Sequence, residues 1–385
     1  MVKTLSFLFA ATLVASVARA EPTFLAKQYT RCTACHYSPT GGGLLTPYGR
    51  LVSHRELSMT GRTATAPAAG AEDAARGEQA FLFGALGEAL GPVHLGLELR
   101  PSHLRVGFPG GHRDLNLLMN LDLTGALQKN GWTAYGSVGR EPPNSAVRRA
   151  GTLPEAAFIS YEHWVSYEAE NGFRIRGGRF LPAYGVRFAD HTAYTRGYLD
   201  LDRNDQVYGV EVGGTMGASM LQVMISPGKA EAILHDSSRR GFSTSGRWQY
   251  DLTPRAALVG SAFYRHSTDV DPRSGSVGAA FGFAPASRVS IWTEVDANLQ
   301  TKAAGGRSWV VVNETAAEVY RGVWLKVSPQ LRTAGEAPGA PQLRRLVLAA
   351  DVMPRTHWHV NVSFYRDHAV DVSTSTLLAQ LHLFL

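Results

Sequence analysis

Beyond residue 90, apolar side chains recur at every second position. In Val93-His94-Leu95-Gly96-Leu97-Glu98-Leu99-Arg100 the apolar residues hold the odd positions, while His94, Glu98 and Arg100 hold the even ones. Trp358, Val360, Val362 and Phe364 alternate in the same way with His357, His359, Asn361 and Ser363, as do Ile291, Thr293, Val295, Ala297 and Leu299 with Trp292, Glu294, Asp296 and Asn298. A period of two is that of a strand with unlike faces. We count about sixteen such segments between Pro92 and Leu385, separated by turn clusters such as Lys129-Asn130-Gly131, Asn171-Gly172 and Leu252-Thr253-Pro254. The pattern predicts a long antiparallel meander.

Such a meander closes either as a soluble sandwich with its polar face in water or as a membrane barrel with its polar face in the lumen. Three features favour the barrel. Charges fall at same-face positions inside strands, at Glu98, Arg174, Arg176, Glu294 and Asp296, which suits a wet interior. The aromatics Trp132, Tyr135, Trp164, Trp248, Tyr250, Trp324 and Trp358 suffice for interfacial girdles. Residues 376–385 alternate to the last position, through Leu377, Ala379, Leu381, Leu383 and Leu385. The expected fold is all-β, an antiparallel outer-membrane β-barrel of about sixteen strands surrounded by outer-membrane lipid. A soluble or surface β-protein is the alternative.

The start of the chain is of a different kind. Lys3, the apolar residues 5–18 and the small-x-small site Ala18-Arg19-Ala20 have the three parts of a secretory signal, so residues 1–20 are expected to be removed on export. Past Glu21 no run reaches the roughly 18 apolar residues of a membrane-spanning helix. Residues 63–77 shift to Ala, Thr, Gly and Pro and read as a linker. The expected organisation is a signal peptide (1–20), a small head (21–62), this linker (63–77) and the barrel (78–385). Net charge is +6, from 38 basic and 32 acidic residues spread along the chain, which excludes a nucleic-acid footprint.

Both cysteines of the chain lie in one pentapeptide of the head, Cys32-Thr33-Ala34-Cys35-His36. This is the spacing of covalent c-type haem attachment: two thiols can each add to a vinyl group, and the adjoining imidazole can reach the iron as proximal ligand. Cys32 and Cys35 are thus the expected thioether positions and His36 the expected metal ligand of one haem c. A redox or structural disulfide is the competing use of the pair, while zinc lacks a second pair of ligands. The run Gly41-Gly42-Gly43 reads as a loop able to wrap a macrocycle edge. Residues 51–59 read as a short helix carrying two distal-ligand candidates, His54 and Met59.

One stretch breaks the hairpin rhythm. Residues 177–187, followed by 190–196, are too long for a tight turn and rich in Arg, Tyr and His. They read as an inward-folded loop in which Arg179, Tyr184, Arg187 and Arg196 narrow the lumen, with His191 as a third distal-ligand candidate. The plain alternative is a loop whose Asp190 and arginines neutralise one another. No phosphate-binding glycine loop in a strand-to-helix setting and no nucleophile elbow is present in the sequence.

A single CxxCH after a signal peptide, joined to a barrel-like chain of about three hundred residues, resembles the fused monohaem cytochrome–porins of the bacterial outer membrane, known from iron oxidisers. Its residue-level part is Cys32, Cys35 and His36 with Thr30 and Tyr48-Gly49-Arg50. The segment Ser38-Pro39-Thr40-Gly41-Gly42-Gly43 departs from the family's aromatic, Pro-containing stretch. The resemblance implies electron transfer through the haem between an extracellular donor or acceptor, iron among them, and a periplasmic cytochrome or other electron carrier. The chain would then be an electron-transfer protein, one able to oxidise Fe(II), rather than a conventional enzyme. The reading from another class is a plain porin or solute channel whose CxxCH head is a plug holding a structural haem or none.

Overall fold

The computed structural model describes residues 22–61, 91–140, 158–197, 199, 201, 205–227, 241–267, 274–300, 307–333, 335, 342–369 and 372–385. The alternating segments form β1 (Val93–Phe108), β2 (Gly111–Lys129), β3 (Trp132–Arg140), β4 (Phe158–Ile159), β5 (His163–Glu168) and β6 (Phe173–Phe180). They continue as β7 (Val207–Met216), β8 (Ser219–Ser226), β9 (Gly241–Thr253), β10 (Ala256–Ser267), β11 (Ser274–Ala286) and β12 (Val289–Gln300). The last five are β13 (Arg307–Tyr320), β14 (Val323–Thr333), β15 (Gln342–Arg355), β16 (Trp358–Ala369) and β17 (Val372–Phe384).

Apart from β4 and β5, sequence neighbours pair antiparallel, and β17 returns to β1 with Glu98 opposite Phe384 and Arg105 opposite Leu377. β3 pairs with β4 at one end and with β5 at the other. These two pieces make one stave, and the barrel is a closed ring of sixteen staves. Closure removes the edges on which unpaired backbone groups would meet lipid. The hairpin at Asn130-Gly131 has φ of 51° and 80°, the left-handed pair that matches strand twist in a two-residue turn.

The interior is inverted relative to a soluble protein. Leu123, Val165, Ile225, Val277 and Leu348 are exposed on the outer wall, whereas Arg176, Glu211, Gln222, Glu294 and Asp296 are buried inside. Because the side-chain period is two, one register fixes both faces. Trp132, Trp248, Tyr250 and Trp358 stand on the outer wall as girdle residues do. Tyr135, Trp164 and Trp324 do not: they point inward, at 6%, 4% and 2% exposure. Their strand parity sets them with the polar residues, and what they meet inside is protein.

That protein comes from two places. The described residues between β6 and β7, 181–197, 199, 201 and 205–206, fold into the lumen, burying Leu181, Val186, Phe188, Ala193, Leu199 and Leu201. The head, residues 22–61, enters from the end carrying the short β9–β10, β13–β14 and β15–β16 turns, where Arg31 meets Asp251 and Arg321 donates to the Ser58 carbonyl. Leu25 and Ala26 of the head pack with Phe188 of the loop and with Val259, Phe263, Trp292 and Trp324 of the wall. Leu44 packs with Tyr135, Trp164 and Phe180. Among the described residues no helix is long and apolar enough to cross a membrane; the strands are the spanning elements. The expected signal peptide and linker lie outside the described residues.

Candidate functional site

The head is built from short pieces joined by backbone hydrogen bonds. Cys32–Ala34 is a single 3-10 turn, closed by Cys35 and His36 amides donating to the Cys32 carbonyl at 3.2 and 3.1 Å. His36 bridges to Leu45, and the Thr46 amide donates to the Cys35 carbonyl at 2.9 Å. Between them Gly41, Gly42 and Gly43 all have positive φ, 79°, 74° and 62°, a reversal that side chains resist. Thr46 then starts α1 (Pro47–Val52), its hydroxyl accepting from the Gly49 amide at 3.0 Å with Pro47 in the first turn. Gly49 is required for a second reason, since a Cβ there would run into the Cys35 carbonyl. After α1, Ser53–Leu57 form a wider turn in which the Ser58 amide reaches the Ser53 carbonyl.

The head is tied to the wall by charge and by backbone. Arg31 pairs with Asp251 at 2.6 Å and Lys27 with Glu318 at 2.5 Å. Gln249 donates to the Thr30 carbonyl at 2.6 Å, and Arg50 donates to the Leu95 carbonyl. The Met59 amide donates to the Met353 carbonyl at 2.9 Å. The inward loop is tied as densely: Tyr184 donates to Asp296 at 2.8 Å, the Gly185 amide to Ser261 at 2.8 Å, and Arg247 to the Gly185 carbonyl at 2.8 Å. Head and loop meet where Arg187 donates to the carbonyls of Thr40 and Gly41.

Burial dominates the electrostatics of the motif. It pulls the His36 imidazole down to about 4, with the neighbouring Arg187 cation adding to the shift. It pushes the Cys32 thiol up, against the opposing pull of Arg247 and Arg187, and the Tyr37 phenol up to about 12.

The structure distributes the expected haem residues over separate surroundings. His54 is buried with its Nδ1 2.6 Å from the Thr356 hydroxyl at the β15–β16 turn. Met59 is 39% exposed beside Gly322. His191 lies on the inward loop next to Thr192, whose carbonyl accepts from Arg345 at 2.8 Å. The space over the glycine run is covered by protein: an added Cβ would meet Cys32 Sγ at Gly41, the Arg187 guanidinium at Gly42 and the Tyr135 hydroxyl at Gly43. Among the described residues no group of three or more His, Cys, Asp or Glu side chains is arranged to hold a metal ion.

These residues do not fit a haem, and the expectation of one haem c is corrected accordingly. The glycine loop that the sequence suggested for a macrocycle edge closes instead on Arg187 and Tyr135. Of the expected constriction residues, Tyr184, Arg187 and Arg196 line one cavity with Cys32, whereas Arg179 is buried in β6 away from its lining. Sequence reasoning missed Arg31, Arg247, Gln249 and Asp251. The last three share one face of β9, and that spacing was the available signal.

No protein-family profile and no curated protein matches the chain. Solved structures do resemble it in fold. The anion-selective porin from Comamonas acidovorans is 11% identical and superposes with a TM-score of 0.55, over 76% of this chain and 99% of that one. OprB of Pseudomonas putida is 7% identical, with a TM-score of 0.58 over 76% and 94%. OmpT of Vibrio cholerae, in a form lacking loop L8, is 8% identical, with a TM-score of 0.56 over 76% and 99%. The chain thus has the fold of a porin-like outer-membrane barrel.

Proposed function

We propose that this protein is an outer-membrane channel whose lumen is plugged by its own N-terminal head. The observation that carries the reading is the pairing of a closed barrel, apolar outside and polar inside, with a head and loop tied into that interior by named ion pairs and backbone hydrogen bonds. A ring of sixteen staves is wide enough to leave an aqueous channel, and here side chains of the head and loop occupy it. The plain porin reading is preferred to electron transfer, because solved structures of the same fold include an anion-selective porin and the residues around the CxxCH motif do not fit a haem. Residues 1–20 serve as the export signal, 21–62 as the plug, 63–77 as its linker and 78–385 as the barrel.

The test is single-channel recording in planar bilayers. Full-length protein should give small or infrequent conductance steps. Replacing both Arg31 and Lys27 by Glu should enlarge them by setting like charges against Asp251 and Glu318. A folded, heat-modifiable barrel that passes no current in either form would sink the proposal.

A further inference from the structure

We infer that the cavity between the head and the inward loop is a binding site for one small carboxylate, of the size of formate or acetate. Two guanidiniums carry the argument. Arg247 is 8% exposed; its Nε donates to the Gly185 carbonyl and its Nη2 to the Gln249 side-chain carbonyl, both at 2.8 Å. Its Nη1 is buried and has no partner among the described residues. Arg187, which lines the same cavity from the inward loop, donates to the carbonyls of Thr40 and Gly41. All these acceptors are neutral.

Of the nearby carboxylates, Asp251 is taken up by the head, and Glu294 is shared between Arg247 and Arg196, one carboxylate for two guanidiniums. Asp251 is held by Arg31 at 2.6 Å and by Gln249 at 2.8 Å. Glu294, the acidic residue of the lining, accepts the Val186 amide at 3.2 Å. Arg196 also lines the cavity, donating to the Phe188 carbonyl at 2.8 Å, so cations outnumber carboxylates there. Buried charge is costly unless an opposite charge meets it, and a carboxylate is the planar anion whose two oxygens match a guanidinium fork.

Size narrows the class. The cavity is about 50 Å³, against the roughly 150 Å³ that admits benzene in an apolar core. An aromatic acid does not fit, while a one- or two-carbon acid does. Cys32 belongs to the same lining, and its thiol is a built-in reporter of occupancy. The site stands on this geometry whether or not the barrel conducts.

The experiment is titration of the full-length protein in detergent with acetate, formate, benzoate and chloride. Binding is read by calorimetry and by the rate at which a small alkylating reagent labels Cys32, followed by mass spectrometry. Acetate and formate should bind saturably and slow labelling of Cys32, benzoate and chloride should not, and Arg247→Gln should weaken acetate at least tenfold. Arg187→Gln is the second variant, with the same expectation should Arg247→Gln fail to fold, and the outer-wall variant Arg105→Gln should bind as the parent does. The inference is overturned if neither acid binds saturably, if chloride competes equally, or if folded Arg247→Gln or Arg187→Gln keeps the parent affinity.

Discussion

Arg31 of the head and Asp251 of β9, far apart in sequence, meet at 2.6 Å with their side chains 3% and 16% exposed. A pair this enclosed holds its partners mainly through the penalty for separating them, since removing one member leaves the other's charge buried and costs about 3 kcal/mol or more. Asp251→Ala should therefore loosen the head without opening the barrel. Limited proteolysis should cut within residues 22–61 while heat-modifiable migration is unchanged. The double variant Arg31→Ala/Asp251→Ala should recover part of the loss, because no orphaned charge remains.

Gly49→Ala tests the contact between α1 and the 3-10 turn. Its added Cβ would strike the Cys35 carbonyl, a backbone atom that cannot swing aside. Overpacking of this kind costs about 1–3 kcal/mol. Amide exchange should rise in residues 32–57 and stay at parental values in β9 and β10.

The physical reasons some of this could be read from sequence, and some could not, lie in individual residues. Glu294 and Asp296 announced an inward face because period-two alternation is local and a carboxylate facing lipid is destabilising. Trp132 and Trp164 look alike in sequence, yet one faces lipid and the other faces Tyr135 at a ring separation of 4.9 Å. Only strand parity, fixed by pairing partners, separates them. The contacts of Arg31, Lys27 and Gln249 lie beyond any periodicity, since they depend on how a separate head seats in the finished barrel. The CxxCH spacing suggested a cofactor, but spacing carries no information about which side chain, here Arg187, fills the space beside it.

Thr46→Ala should destabilise the head through two lost bonds. The hydroxyl accepts the Gly49 amide at 3.0 Å as the cap of α1 and donates to the Ala34 carbonyl at 2.8 Å. Loss of a cap costs about 1 kcal/mol, so exchange in α1 should quicken several-fold, with Thr46→Ser restoring the parental rate.

His36 makes head stability depend on pH. Its folded value, about 4, lies below the ordinary 6.5 because burial disfavours the cation. Between those values the unfolded head binds the proton that the folded head refuses, so stability rises with pH through this window. The head should be fully secured above about pH 6.5 and progressively weaker down to about pH 4, by about 3 kcal/mol in all. Proteolysis of residues 22–61 at graded pH should follow that course. In His36→Gln the dependence between these values should flatten, and an unchanged profile would exclude His36 as its source.

Tyr184→Phe isolates the tether of the inward loop. The phenol donates to Asp296 Oδ1 at 2.8 Å, and Asp296 is wholly buried with its Oδ2 lacking a partner among the described residues. Deleting the hydroxyl leaves that carboxylate without its described donor, a loss of about 1–3 kcal/mol for an unsatisfied buried acceptor. The ring itself stays, so apolar contacts are kept and the change is confined to the tether. The Gly185 amide to Ser261 and the Arg247 bond to the Gly185 carbonyl still hold the next residue, so the loop should fluctuate rather than leave the lumen. Single-channel traces of Tyr184→Phe should show brief openings more often than the parent does. Tyr184→Phe combined with Asp296→Asn should lose most of that excess, because a neutral amide tolerates burial better than an unpaired carboxylate.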